Sequence, residues 1–217
     1  MSNQNRPAMI VVAGPNGSGK TSLTSQLLLH EWLQNCVYIN PDEIAQSRFG
    51  DWNSPDAVIK AAQQAHAMRE ECLAKRQDFV FETVLSSQEK PDFLRRGAEA
   101  GYFIRLFFVA TVSPAINASR VAQRVMQGGH DVPIGKIISR YAKSLANCAL
   151  CASFADRAYI YDNSEDGKMP RPLFRAQEGK IVKVYGAIPE WAGKIKNELE
   201  ARKLRAQKRN SPDGDFL

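Results

Sequence analysis

The stretch Ala13-Gly14-Pro15-Asn16-Gly17-Ser18-Gly19-Lys20-Thr21 follows directly on the apolar run Met9-Ile10-Val11-Val12 and leads into a segment of helical periodicity. Residues 14–21 match G-x-x-x-x-G-K-[ST] in full, in the strand-before, helix-after setting that the motif requires. A chain that opens this way is held to an α/β layout, because such a loop grips a phosphate only when a strand delivers it to the first turn of a helix. The roles divide by chemistry. Gly14, Pro15, Asn16, Gly17, Ser18 and Gly19 wrap a nucleotide phosphate, with the glycines freeing backbone N–H groups to close round it. Lys20 reaches the β- and γ-phosphates, and the Thr21 hydroxyl ligates Mg²⁺. A glycine-rich turn with no ligand is the competing reading.

The rest of the chain keeps to the same grammar. Short apolar or β-branched runs predict strands over 8–12, 36–39, 79–83, 103–110 and 159–161, and helical spacing predicts helices over 21–31, 55–76, 90–100, 114–127 and 133–154. Alternation of this kind gives a five-stranded, mostly parallel sheet with helices on both faces. Beyond Tyr161 a loop leads to a hairpin, 173–176 and 181–185 around Gln177-Glu178-Gly179-Lys180, expected as an edge addition. Trp191, Ile195 and Leu199 then mark the docking face of a basic helix, and 211–217 reads as a frayed end. With 217 residues, 44% of them hydrophobic and 24% charged, the chain is expected to form one domain over 1–217, with a lid about 117–140 and the hairpin and basic helix about 170–210.

Charge and cysteines exclude several classes. Of the net +6, residues 194–209 supply seven basic side chains against Glu198 and Glu200, so the remainder is close to neutral and a nucleic-acid partner is not expected. Cys148 and Cys151 form a single CxxC inside a helical pattern, with no second pair to complete a zinc site, and all four cysteines read as buried thiols. No apolar run reaches the roughly 18 residues of a membrane span and the first residues are polar, which makes the cytoplasm the expected location.

What the phosphate is for is narrowed by what does not occur. There is no N-K-x-D, D-x-x-G or L-S-G-G-Q, and the strand Leu106-Phe107-Phe108-Val109-Ala110 runs into Thr111 rather than the acids of a hydrolytic motor. A small kinase remains. Asp42, after a strand ending in Ile39, is placed to act as base on an acceptor hydroxyl, although Asn40, Pro41 and Glu43 equally make a helix start in which Asp42 only favours the dipole. Glu82 closes a buried strand, where a carboxylate needs a partner: a substrate hydroxyl, a metal-bound water or an arginine. Thr83 adds a second polar group there. Arg120 and Arg124 share a helix face before Gly128-Gly129-His130, and Arg140 lies on the polar side of the next helix. That is the grammar of a lid that brings arginines to a transferring phosphoryl group. His130 is read as a phosphate or acceptor contact, or as a turn residue; His30 and His66 as surface or helix residues; Asn163 as part of a loop over the adenine, or as ordinary turn chemistry.

Gly14-Pro-Asn-Gly-Ser-Gly-Lys-Thr21, Ile39-Asn-Pro-Asp42, Phe81-Glu-Thr-Val-Leu-Ser86, Arg124, Gly128-Gly-His-Asp-Val-Pro133 and Arg140-Tyr141 together resemble the zeta toxin family of P-loop kinases over roughly residues 8 to 165. The resemblance implies transfer of the γ-phosphate of ATP, with Mg²⁺, to a hydroxyl of a UDP-linked N-acetyl amino sugar, and a possible antitoxin partner. It assigns Lys20 and Thr21 to phosphate and metal, Asp42 to the acceptor base, Glu82 and Thr83 to substrate, and Arg124 and Arg140 to the lid, with Arg120 as the alternative first lid arginine. Two further expectations stand beside it: a kinase for another acceptor, such as a polynucleotide 5′ end or an antibiotic, and a non-catalytic protein whose nucleotide gates a partner.

Overall fold

The computed structural model of the chain describes residues 6–30, 33, 35–50 and 54–209. In chain order the elements are β1 (Ala8–Ala13), α1 (Lys20–Leu27), β2 (Val37–Ile39), α2 (Pro41–Phe49), α3 (Pro55–Lys75), β3 (Phe79–Thr83), α4 (Glu89–Glu99), β4 (Phe103–Ala110), α5 (Pro114–Met126), α6 (Ile134–Ala152), β5 (Arg157–Asp162), β6 (Arg171–Gln177), β7 (Lys180–Val184) and α7 (Glu190–Arg209). The strands form one sheet in the order β2-β3-β1-β4-β5-β6-β7. The first five are parallel to their neighbours, and β6 and β7 run antiparallel.

The expected sheet of five strands is therefore corrected to a mixed sheet of seven. The hairpin does not merely sit at the edge: Leu173, Phe174 and Ala176 of β6 are fully buried, and β6 covers the side of β5 that would otherwise leave an open row of N–H and C=O groups. The frayed segment expected at 211–217 lies outside the described residues.

Two cores flank the sheet. On one face Leu23 and Leu27 of α1 pack on Ile10, Val12, Val80 and Val109. On the other, the strand side chains Phe79, Phe81 and Phe108 meet α3, α4, α6 and the Trp191, Ile195 and Leu199 stripe of α7. Cys148 and Cys151 are fully buried on α6, and burial raises both thiols, so the CxxC packs as apolar surface. The basic remainder of α7 is laced by i,i+4 pairs, Lys194–Glu190, Lys196–Glu200 and Arg202–Glu198. Among the described residues no helix is long and apolar enough to cross a membrane.

A third, small core of Val121, Val132 and Ile137 joins α5 to α6 through the Gly128-Gly129 turn. This gives the α5–α6 hairpin packing of its own, separate from the sheet. Helical spacing places Ile134, Ile137, Ile138, Tyr141 and Leu145 on the apolar side of α6; in the structure Ile137 and Tyr141 are buried, but Ile134 and Ile138 are exposed.

Candidate active site

β1 lies between β3 and β4, so the chain leaves it toward opposite sides of the sheet, and the loop after Ala13 stands at a topological switch point. The loop is built by close approach. At Gly19, φ is +92° and a Cβ would stand 2.2 Å from Asn163 Nδ2; at Gly17 a Cβ would stand 2.4 Å from the Asn117 carbonyl oxygen. Both asparagines hold the loop from outside. Asn163 Nδ2 donates to the Ser18 carbonyl at 2.9 Å, and Asn117 Nδ2 donates to the Asn16 carbonyl at 2.7 Å. Within the cradle the Ser18 hydroxyl is fully buried and has no hydrogen-bond partner among the described residues, a vacancy for an acceptor oxygen that suits a phosphate.

Lys20 Nζ donates to the carbonyls of Gly14 and Pro15 at 2.9 and 3.1 Å, folded over its own loop. Burial holds its pKa below the ordinary 10.5; Glu82 and then Asp42 oppose that shift, and Arg124 and Arg140 add to it. One ammonium thus feels two carboxylates and two guanidiniums supplied by four separate elements. Thr21 is exposed in the first turn of α1, and its hydroxyl, with these carboxylates, offers the hard oxygen donors that Mg²⁺ takes.

Asp42 is the second residue of α2, whose N-cap Asn40 accepts from its N–H at 3.0 Å. The helix start does not preclude a site role for Asp42: the cap fixes the backbone while the side chain is exposed and within electrostatic reach of Lys20. Glu82 is 7% exposed and has its partner in Tyr38, whose hydroxyl donates to Glu82 Oε1 at 2.8 Å and accepts from Asn40 Nδ2 at 2.9 Å. Register explains the pair. Ile39 is level with Phe81, so Tyr38 projects to the same sheet face as Val80 and Glu82. Burial, then Glu82, drives the Tyr38 pKa far above its usual value, so the hydroxyl stays a donor. Glu43 is raised by burial and then by the charge of Glu82, with Asp42 adding to it and a Tyr38 hydrogen bond opposing it.

Other expected residues fall around this centre. Thr83 turns the chain: its hydroxyl accepts the Leu85 N–H at 3.0 Å where Leu85 has φ +58°, and its carbonyl accepts the Gly14 N–H at 3.2 Å. Arg124 donates to the His130 carbonyl at 2.8 Å across the Gly128-Gly129 turn, and Arg140 Nη1 lies 3.5 Å from Asn16 Oδ1. Arg120 goes elsewhere. It donates to Asp166 Oδ1 at 2.6 Å and to the Asn163 carbonyl at 2.7 Å, lining a cleft of about 290 Å³ with Gly19, Ser22, Asn163 and Lys168.

The sequence reading missed Asn117, Tyr38 and Tyr141. Asn117 is wholly buried, accepts from the Thr111 hydroxyl and ties α5 to the phosphate loop; Tyr141 donates to the Thr111 carbonyl from α6. A signal existed for Asn117: a polar residue one turn before the buried Val121, on the helix's inward stripe.

The zeta toxin family model matches residues 1–168. An uncharacterized protein of Haemophilus influenzae is 27% identical over 132 residues, 61% of this chain and 91% of its own length. Among solved structures, the PezAT chromosomal toxin-antitoxin system of Streptococcus pneumoniae superposes with a TM-score of 0.57 at 14% identity, over 95% of this chain and 90% of that one. The AvrRxo1-ORF1:AvrRxo1-ORF2 complex with sulphate ions gives 0.63 at 16% identity, over 92% and 77% of the two chains. The same complex with ATP gives 0.51 at 15% identity, over 92% and 77%. With its phosphate loop, Phe-Glu-Thr strand end and Gly128-Gly129 turn inside the matched span, the chain belongs to the zeta toxin family.

Proposed function

We propose that the chain is an ATP- and Mg²⁺-dependent phosphotransferase that moves the γ-phosphate of ATP to a hydroxyl of a small acceptor, of the class of UDP-N-acetylglucosamine. The observation that carries this reading is the placing of Asp42 at the start of α2, Glu82 at the end of β3 and Arg140, 3.5 Å from Asn16 Oδ1, around the phosphate loop, with Lys20 within their electrostatic reach. The acids of a hydrolytic motor are missing after Ala110, where Thr111 stands, while Asp42 and Glu82 suit a kinase, which needs a carboxylate beside the acceptor hydroxyl.

In this reading the 14–21 loop holds the phosphates through its backbone N–H groups, and Lys20 leaves its resting partners, the Gly14 and Pro15 carbonyls, for phosphate oxygens. Mg²⁺ bound through the Thr21 hydroxyl and phosphate oxygens supplies neutralisation of the β- and γ-phosphate charge. Asp42 takes the proton of the acceptor hydroxyl as its oxygen bonds to the γ-phosphorus, and the bond from that phosphorus to the bridging oxygen breaks, releasing ADP. Glu82, its Oε1 fixed by Tyr38, accepts a hydrogen bond from a neighbouring acceptor hydroxyl and so orients it. Closure of the α5–α6 hairpin brings Arg124 and Arg140 to the equatorial oxygens and excludes water. Arg120, Asn163 and the cleft beside Gly19 take the base of ATP. The toxin-antitoxin description of a structural neighbour supports an antitoxin as partner.

The test is transfer from γ-labelled ATP to a panel of nucleotide sugars, nucleosides, oligonucleotides and aminoglycosides, with Asp42→Asn alongside. Transfer to one acceptor, reduced by about 10² to 10⁴ in Asp42→Asn with ATP affinity kept, is expected. Transfer to none, or turnover that ignores the substitution, refutes the reading.

A further inference from the structure

On the sheet face opposite α1, α3 and the start of α4 enclose a cavity of about 390 Å³ lined by Ala62, Gln63, His66, Arg69, Glu89 and Lys90. Its floor is unusual in charge. Arg69 is 3% exposed, its guanidinium lying 5.5 Å from the Phe81 ring centroid and 5.7 Å from that of Phe93. The two rings flank the guanidinium, yet its Nε has no hydrogen-bond partner among the described residues, and its Nη2 reaches Glu89 only at 3.5 Å. A buried guanidinium left this poorly paired costs several kcal/mol unless something answers it.

Glu89 is the only acid in the lining, and it faces two cations and an imidazole at once. Its carboxylate accepts from Lys90 Nζ at 2.6 and 2.8 Å, lies 3.5 Å from Arg69 Nη2 and 3.6 Å from His66 Nδ1, and stands at the first residue of α4, whose N-cap Gln88 contributes no side-chain cap. The nearby Glu70 is engaged elsewhere, held by Arg96 through two contacts at 3.0 and 2.6 Å. Arg69 and Lys90 both have pKa values lowered first by burial. The Glu89 side chain is half exposed and can turn out to solvent. Its carboxylate therefore occupies the place of a movable anion, set against two fixed cations and a helix N-terminus.

We propose that this cavity is an anion site for a phosphoryl group, held by Arg69 and Lys90 with His66 at the rim, and that Glu89 is displaced from it on binding. A phosphate offers oxygens for both Arg69 Nε and Nη2 in the forked geometry that a guanidinium favours, while a further oxygen takes the Lys90 ammonium. The cavity lies one short loop from the acceptor carboxylate, since residues 84–88 join Glu82 and Thr83 to Glu89, and Asn147 of α6 pins that loop by donating to the Leu85 and Ser87 carbonyls at 2.9 and 3.3 Å. The phosphoryl group is either carried by the acceptor or free in solution. Only its assignment to the acceptor rests on the kinase reading; the anion site does not.

The test titrates inorganic phosphate calorimetrically into the full chain saturated with Mg²⁺ and a non-hydrolysable ATP analogue, which keeps the 14–21 loop filled. Glu89→Gln is expected to tighten phosphate about tenfold and Lys90→Gln to weaken it by a similar factor, the size of one charge-assisted hydrogen bond. Both residues are at the surface end of α4, so folding is preserved; Arg69→Lys, checked by melting, abolishes the fork. No binding in either the wild type or Glu89→Gln, or affinities that neither substitution moves, overturns the site. Displacement of bound phosphate by UDP-N-acetylglucosamine or glucose 6-phosphate identifies an acceptor-borne group, and phosphate that neither displaces identifies a free ligand. Because the readout is binding to the nucleotide-loaded chain, failure of phosphoryl transfer leaves this result standing.

Discussion

Asn117 offers a direct test of how the phosphate loop is kept in shape. Its side chain is wholly buried, bridging the Thr111 hydroxyl, which donates to it, and the Asn16 carbonyl, to which it donates at 2.7 Å across 101 residues of sequence. Asn117→Ala removes both bonds. Thr111 keeps an alternative, since its hydroxyl also donates to the Ser113 carbonyl at 2.9 Å, but the Asn16 carbonyl loses the side-chain donor that holds it. One lost net bond of about 1 kcal/mol and one stranded acceptor of about 1 to 3 kcal/mol give about 2 to 4 kcal/mol of destabilisation. For a chain of 217 residues that is a melting shift of about 4 to 16 °C. ATP affinity should fall with it, by about three- to tenfold, because binding must then order a loop that α5 no longer holds. Ser113→Ala is the control. It removes the α5 N-cap, where Ser113 Oγ accepts the Ala115 N–H at 3.1 Å, at a cost of about 1 kcal/mol, and touches nothing in the loop. Thermal melting and equilibrium binding of a fluorescent ATP analogue on both variants decide the matter. If Asn117→Ala melts within 1 °C or so of the wild type, or binds ATP as tightly as Ser113→Ala does, the latch is not what shapes the loop.

Other outcomes follow from the same contacts. Lys20 has a folded-state pKa below its ordinary 10.5, so in the window between the two values the unfolded chain binds more protons and this residue's contribution makes unfolding harder as pH rises. Urea unfolding of Lys20→Met should lack that alkaline rise, and nucleotide binding should be lost at every pH. Gly19→Ala forces a Cβ to within 2.2 Å of Asn163 Nδ2 at a φ of +92°, and should cost about 1 to 3 kcal/mol and most ATP binding; Asn163→Ala added to it relieves the clash but not the dihedral, so a double-mutant cycle should return only part of the loss. Phe174→Ala, at a β6 side chain 1% exposed, should destabilise by about 3 to 5 kcal/mol in denaturant melts, as a core position of a seven-stranded sheet does; a surface-sized change would return β6 to the status of an edge ornament.

How much of this was legible depends on how far apart in sequence the deciding partners are. The phosphate loop, the boundaries of β3 and β4, and the buried Trp191, Ile195 and Leu199 stripe are set by residues within a few positions of one another, and periodicity carried them. Asp42 and Glu82 were legible by position, each just after or at the end of a strand where the sheet's ligand edge must lie. The hairpin was legible as a hairpin, but nothing in Leu173–Ala176 says that β5 would be its partner rather than solvent. The arginines mark the limit most clearly. Spacing of four places Arg120 and Arg124 on one face of α5, and from the sequence they are interchangeable candidates for one role. In the structure they part: Arg124 turns to a carbonyl six residues on and acts on Lys20, whereas Arg120 is drawn to Asn163 and Asp166, 43 and 46 residues away. Helix geometry put both side chains on the same surface, and the loop after β5, invisible to local pattern, drew Arg120 alone to Asn163 and Asp166. A Gln at 120 should therefore raise the KM for ATP with kcat nearly kept, and a Gln at 124 should lower kcat; equal effects on both parameters at both positions would mean that the two arginines share one task after all.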